Sequence, residues 1–208
     1  MITFYYFHPA CSMVSHIALE ESGVTYDARR VDIKNPEDLE ELRKFNPKGT
    51  VPAISVDGRG LSENIAILTY LASIAPQAGL VPIDALERAQ CMSLLSWSAS
   101  TVHINFRQSF RPEKFTADVA AQETVRANGR RMFWENLQTF DALLERQEWV
   151  MGAGFSAPDA YALKFYEWAS ISKQPVQELA AFTAFKQRMI ARPAVRRVLE
   201  REGSRLLS

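Results

Sequence analysis

The sequence predicts an α/β unit followed by an all-α unit. Strand and helix signals alternate up to about residue 75, and strand signals disappear beyond the Pro/Gly/Ala-containing stretch Ala75 to Pro82. After that stretch, apolar residues recur only at helical spacing. Taking it as a linker sets the domains at 1–78 and 86–208.

Ile2 to Phe7 is rich in β-branched and aromatic residues and reads as a strand. Met13 to Ser22 reads as a helix stopped by Gly23, and Thr25 to Val31 as a second strand. The segment Pro36 to Phe45 opens on Pro-Glu-Asp, as helix starts often do. Val51 to Val56 returns to strand, turns at Asp57-Gly58 and passes through Leu61 into a helix. The first turn of that helix holds Glu63 and Asn64, and its apolar pattern is Ile67, Leu71 and Ile74. The order is βαβα, then ββα.

In the second unit, Met92, Leu95, Ala99, Val102 and Phe106 advance by three and four, which predicts a buried helix face. A polar stripe, Ser96, Ser100, His103 and Arg107, follows the same rhythm and fits either a cleft lining or a solvated face. Phe133, Leu137, Phe140 and Leu144 predict the core face of another long helix, ended by a break at Gly152 to Phe155. Ser156-Ala157-Pro158-Asp159 then forms a capping-box pattern ahead of an aromatic helix with Tyr161, Phe165 and Trp168 on one side. The tail from Glu178 to Glu200 is helical, with an interruption at Arg192-Pro193.

Composition narrows the function classes. A chain of 208 residues with 47% apolar content supports packed cores, which excludes disorder. Lys plus Arg equals Asp plus Glu, 24 against 24, with no long basic run, so broad electrostatic capture of nucleic acid or an anionic membrane is not expected. The opening residues carry no basic leader pattern, and no segment supplies the ~18 unbroken apolar residues of a membrane span. A cytoplasmic location is the expectation. Cys11 and Cys91 are far apart in sequence and read as free thiols, and no metal-ligand spacing accompanies them, so no metal is expected.

The stretch Asn46-Pro47-Lys48-Gly49-Thr50-Val51-Pro52-Ala53-Ile54 combines a turn with an extended edge. Pro52 lacks an amide donor while Val51 keeps its N–H and C=O, so a peptide-like ligand could pair there. Unpaired amides at the following helix start suit a carboxylate, and the Glu63 side chain suits an ammonium. The other reading makes Ser62 an N-cap and Glu63 a complement to the helix dipole. Cys11 lies at the start of the first helix, where amides and dipole favour a thiolate, or else it is a small packed residue. Cys11-Ser12-Met13-Val14 supplies no resolving thiol, so a dithiol exchange would need its second sulfur from a ligand. Ser12 offers its hydroxyl at the same helix start. Cys91, within a helix, reads as structural, and His16 as packing or capping.

Taken together, Pro-x-Cys-Ser, Asn-Pro-Lys-Gly-x-Val-Pro-Ala, Leu-Ser-Glu-Asn and Phe-Ser-x-x-Asp-Ala-Tyr resemble the glutathione transferases, most closely the bacterial beta class. The resemblance implies a thioredoxin-like N-terminal domain, a helical-bundle C-terminal domain and a homodimer. It implies glutathione as co-substrate and a small electrophile or disulfide as the second substrate. By that resemblance Val51 pairs with the cysteinyl part of glutathione ahead of a cis Pro52, and Glu63 and Asn64 hold the γ-glutamyl end. Cys11 and Ser12 lie near the sulfur, Lys34 or Lys48 reaches the glycyl carboxylate, and His103 lines the sulfur. Ser100, Arg107 and Trp168 join His103 in the second-substrate pocket. Ile104 stands where the class commonly has Lys, and Ser96 where it has Asn, so standard conjugation is expected to be weak. The alternative is a non-catalytic dimeric binding or regulatory module of the same fold; glutathione-dependent isomerisation ranks below both.

Overall fold

The computed structural model describes residues 1–152 and 154–207, so Ala153, within the expected break at Gly152 to Phe155, and Ser208 lie outside the described residues. In chain order the elements are β1 (Ile2–Tyr6), α1 (Ser12–Ser22), β2 (Tyr26–Arg30), α2 (Pro36–Arg43), β3 (Ala53–Val56), β4 (Arg59–Ser62) and α3 (Asn64–Ile74). They are followed by α4 (Ala85–Trp97), α5 (His103–Phe110), α6 (Val119–Leu144), α7 (Ala157–Ile171), α8 (Ala180–Ala191) and α9 (Pro193–Glu202). Two compact units result: residues 1–83 with the C-terminal segment from Met189, and Asp84–Arg188.

In the first unit the sheet order is β2-β1-β3-β4, with β1 parallel to β2 and antiparallel to β3. This is the expected βαβα–ββα order, and it has the thioredoxin-like pattern. Alternation along β1 sorts its side chains. Phe4 and Tyr6 pack at a tilt against the His16 ring of α1, with ring centroids 4.9 Å apart in both pairs. Tyr5 points the other way, packing with Val31, Leu42 and Ala53 and stacking on Phe45. Burying a side chain such as Phe4 contributes about 1.5–3 kcal/mol. Gly23 ends α1 in the left-handed region, where a side chain would be strained. Ile67 and Leu71 of α3 are buried as the periodicity requires, but Ile74 is exposed because it falls in the last turn, and Leu68 takes the inward position instead.

Helix α9 closes this unit by charge as well as by packing. Arg192 holds Glu21 with two hydrogen bonds of 2.6 and 2.9 Å, and Arg197 and Arg201 both reach Glu20 at 2.9 Å. Tyr26 adds a 2.6 Å donation to Glu20 from β2. Burial pushes the Glu20 carboxyl up, but donation from Tyr26, Arg197 and Arg201 outweighs it and leaves the pKa lowered. Burial and the neighbouring Glu20 push the Tyr26 phenol up.

The second unit is helical throughout its regular elements. Phe133, Leu137, Phe140 and Leu144 of α6 are all buried, as their spacing predicted. Phe140 meets Trp97, Phe165 and Phe182 at centroid distances of 5.0, 5.9 and 5.7 Å, and Tyr161, Phe165 and Trp168 are buried. Between α4 and α5 the helix continues through a π turn, Ser98–Val102, closed by His103 N–H on the Ser98 carbonyl. The buried side here runs through Cys91, Leu95, Ser98, Val102 and Phe106, whereas Met92 and Ala99 are only half-buried. Hydropathy misses Ser98 because its small volume, rather than its polarity, suits it to the packed face. The capping box is present: Asp159 accepts from Val150 N–H at 2.8 Å, Ser156 N–H at 2.8 Å and Ser156 Oγ at 2.9 Å.

Two glycines mark close approaches. A Cβ on Gly60 would lie 1.9 Å from the Phe45 carbonyl oxygen, and one on Gly129 would lie 2.6 Å from Ser109 N at the α5/α6 crossing. Gly60→Ala and Gly129→Ala should each destabilise the protein by about 2–3 kcal/mol, since backbone must move to admit the methyl group. Urea unfolding with an unchanged m-value is the check.

Candidate functional site

Four segments of the first unit converge on Cys11. The end of β1 and the start of α1 are tied by Ser12, whose Oγ donates to the Phe7 carbonyl at 3.1 Å and accepts from Phe7 N–H at 3.2 Å. Cys11 is the N-cap residue of α1, and its side chain makes no cap hydrogen bond to the first-turn amides. Its Sγ donates weakly to the Val51 carbonyl at 3.8 Å. Asn64 completes the junction: Nδ2 donates to the Cys11 carbonyl at 3.1 Å, and Oδ1 accepts from Ser15 Oγ at 2.6 Å.

The edge that presents Val51 is built by the turn before it. Buried Asn46 donates to the Thr50 carbonyl at 2.6 Å and to Thr50 Oγ1 at 3.1 Å, and Gly49 N–H closes back on Asn46 at 2.8 Å with positive φ. The Val51-Pro52 peptide is cis. Val51 lies beyond the last β1–β3 pair, Tyr5 with Ala53, and its own amide makes no hydrogen bond among the described residues. An N–H without a partner among the described residues, beside a carbonyl that meets the Cys11 thiol, fits an extended peptide.

Glu63 occupies the N-cap position of α3 with φ of 74°, and its carboxylate is exposed and paired with Lys48. The family resemblance implies opposite ends of a ligand for Glu63 and Lys48; the fold brings the two side chains together. Lys34 is elsewhere, on the exposed turn before α2, where its amide donates to Asp32 Oδ1 at 2.9 Å. Ser12 and Asn64 are also used differently from expectation. Both are buried and their side chains hydrogen-bond within the fold.

In the helical unit, His103 lies 4.8 Å from the Trp168 ring, which stacks on Phe106 at 4.2 Å. Ser100 and Arg107 are exposed on the same helix, and Ser100 Oγ donates to the Ser96 carbonyl at 2.7 Å. Beneath this cluster, buried Lys164 and Glu167 pair at 2.5 Å, with Lys164 Nζ 5.6 Å from the Trp168 ring centroid. Spacing on α7 could have suggested that i,i+3 pair; nothing in the sequence placed it under Trp168. Cys91 is buried, and burial followed by the negative Asp159 pushes its thiol up to about 11. No group of three or more His, Cys, Asp or Glu side chains with metal-site geometry occurs among the described residues, and no helix there is long and apolar enough to cross a membrane.

The first unit is thus a βαβα–ββα fold with helices on both faces of its sheet, a helix-start cysteine and a Val–cis-Pro edge, joined in one chain to a helical unit. The model of the glutathione S-transferase N-terminal domain matches residues 10–74, and that of the C-terminal domain matches residues 101–193. The chain belongs to the glutathione S-transferase family. It is 34% identical over 198 residues to glutathione S-transferase GstA of Escherichia coli O157:H7, covering 93% of this chain and 95% of that one. A glutathione transferase homologue from Sulfitobacter, solved with bound glutathione, superposes with a TM-score of 0.87 at 30% identity, over 97% of this chain and 98% of that one. The bacterial beta class glutathione S-transferase of Sphingomonas chungbukensis gives 0.85 at 32% identity, over 97% and 98%.

Two measurements follow from this geometry. Asn64→Ala takes from Ser15 Oγ its acceptor and from the Cys11 carbonyl one of its donors, Val14 N–H remaining at 3.1 Å, and should lower stability by about 1–3 kcal/mol in urea unfolding. With its pKa near 11, Cys91 is about one part in a thousand thiolate at about pH 8. Intact mass after brief alkylation should therefore show a single adduct, and Cys11→Ser should remove it.

Proposed function

We infer that this chain binds glutathione at the Cys11–Val51–Glu63 face of its first unit and transfers its sulfur to an electrophilic or disulfide co-substrate. The observation that carries this reading is the Val51 peptide edge, its amide unpaired among the described residues, beside the Cys11 thiol and the α3 start. Val51 N–H and C=O pair with the cysteinyl peptide of glutathione, which sets its sulfur near Cys11 and the Ser12 amide. Glu63 takes the γ-glutamyl ammonium, and the first amides of α3, beginning at Asn64, take its carboxylate. Lys48 serves the glycyl carboxylate once ligand displaces it from Glu63; exposed ion pairs of this kind cost only about 0–1 kcal/mol to part. Lys34 stays outside this reading of the site.

Residues 1–78 act as the glutathione-binding domain and 86–208 as the helical domain. His103, with Ser100, Arg107 and Trp168, is assigned to the second-substrate side on the strength of the family resemblance. A cytoplasmic homodimer that uses no metal is part of the same reading.

Two chemistries share this site. In conjugation the glutathione thiolate, held by the α1 amides, attacks the electrophile and expels its leaving group or adds across it. In thiol exchange the Cys11 thiolate attacks oxidised glutathione, giving a Cys11–glutathione disulfide and one glutathione thiolate. Calorimetric titration with glutathione should show binding, and Glu63→Gln should weaken it by about 10- to 100-fold, the worth of a charged hydrogen bond. Exposure to oxidised glutathione separates the chemistries: a glutathione-sized mass gain that vanishes in Cys11→Ala supports exchange, and binding without a gain supports conjugation. No binding at millimolar glutathione overturns the reading in favour of a non-catalytic module.

A further inference from the structure

Three helices of the second unit meet around a surface cavity of about 190 Å³, lined by Ser109 and Phe110 of α5, Arg126 and Arg130 of α6, and Ser172 at the C-cap of α7. None of these residues belongs to the glutathione face or to the group assigned to the second substrate. A cavity of ~150 Å³ holds one benzene ring, so this one is sized for a single ring with a small substituent.

One wall is aromatic. Phe110 stacks on Phe106 at a centroid distance of 5.5 Å, and Phe106 is buried and stacks in turn on Trp168, so the Phe110 ring is held by a column of rings. It is nevertheless 53% exposed. A ring fixed in place with one face open offers a stacking surface at little cost in ordering entropy.

The other wall is cationic. Arg126 and Arg130, four residues apart, share one side of α6. Each is anchored by a donation to the carbonyl end of a neighbouring helix, Arg126 Nη1 to Ser109 at 3.0 Å and Arg130 Nη2 to Lys173 at 3.1 Å. Those bonds cap α5 and α7, and they use one of the five N–H donors of each guanidinium. Exposed Glu123 stands 3.4 Å from Arg126 Nε, whereas no carboxylate lies within ion-pair distance of Arg130 among the described residues. With Lys173 next in the chain to Ser172, three cations are set against one carboxylate and two helix ends of about half a negative charge each, which leaves the balance positive. The Ser109 and Ser172 hydroxyls donate to the Phe106 and Trp168 carbonyls, each at 2.8 Å, so the guanidiniums are what remains to donate to an anion.

We propose that this cavity binds a small aromatic carboxylate, its ring against Phe110 and its carboxylate on the remaining N–H groups of Arg126 and Arg130. The planar fork of a guanidinium matches a carboxylate. An inorganic anion would leave the Phe110 face in water, and a neutral ring would leave the guanidiniums unmatched.

Benzoate is the probe, titrated into the full chain while the arginine Nε–H resonances are followed by NMR. Benzyl alcohol and acetate are the controls that lack the charge and the ring. The resonances lost in Arg126→Lys and Arg130→Lys should shift together in wild type, with a dissociation constant on the order of 1 mM, and each control should bind at least ~10-fold more weakly. Arg130→Met, read at Arg126, should weaken benzoate by about tenfold, and Phe110→Ala by about fivefold. Equal binding of benzoate and either control overturns the proposal, as does a failure of both resonances to move at ~20 mM benzoate, or affinity unchanged in both variants. If Arg130→Met fails to fold because α7 loses its cap, Phe110→Ala decides alone, since it leaves both guanidinium bonds in place.

Discussion

The amide of Asn64 holds the candidate site together. With one side chain it fixes the start of α3 to the Cys11 carbonyl and to Ser15 inside α1. The Ser15 contact is buried and the Cys11 contact partly so, and in the buried one a hydrogen bond left unmade costs more than one made gains. Ser12 does the corresponding work between β1 and α1. The result is that two helix starts and a strand edge are held in one rigid corner. A ligand bound at that corner would meet backbone amides whose direction is already set, with little ordering entropy left to oppose binding.

Charge is distributed in two ways around this corner. Toward solvent, Glu63 and Lys48 pair across exposed, flexible side chains, an interaction weak enough for a charged ligand to replace. Behind the sheet, Glu20, Glu21 and Glu202 are largely or fully withdrawn from water and are met by arginines, a tyrosine and histidines. Removing one member there leaves its partner buried and uncompensated, which is the expensive case. The network accordingly suits anchoring the chain's last helix, while the exposed pair suits recognition.

The helical unit is organised around a buried carboxylate of its own. Asp159 accepts from two backbone amides and a hydroxyl, which fixes the loop from Val150 to Ser156 against the first turn of α7. Its charge also helps keep the Cys91 thiol protonated. The two cysteines thus differ by environment rather than by chemistry, one at an open helix start and one in a packed helix beside a carboxylate.

The sequence by itself determined the order of elements, the change from α/β to all-helical, the Asp159 cap, the core stripe of α6 and the placing of Cys11 at a helix start. Each is a local property, written in residues a few positions apart as a period, a turn or a cap. It also held the motifs of the family, including the Val51-Pro52 edge and the Glu63-Asn64 helix start. Only the tertiary structure decided which of those polar groups remain for a ligand. Ser12 and Asn64 carry the right side chains at the right spacing, yet they are consumed by partners five and more than forty residues away. Nothing along the chain signals that Lys48 meets Glu63, that Ser98 is buried, or that Glu202 reaches back to His8 and His16. Such pairings depend on where separate elements pack, and hydropathy and spacing along the chain carry no record of that.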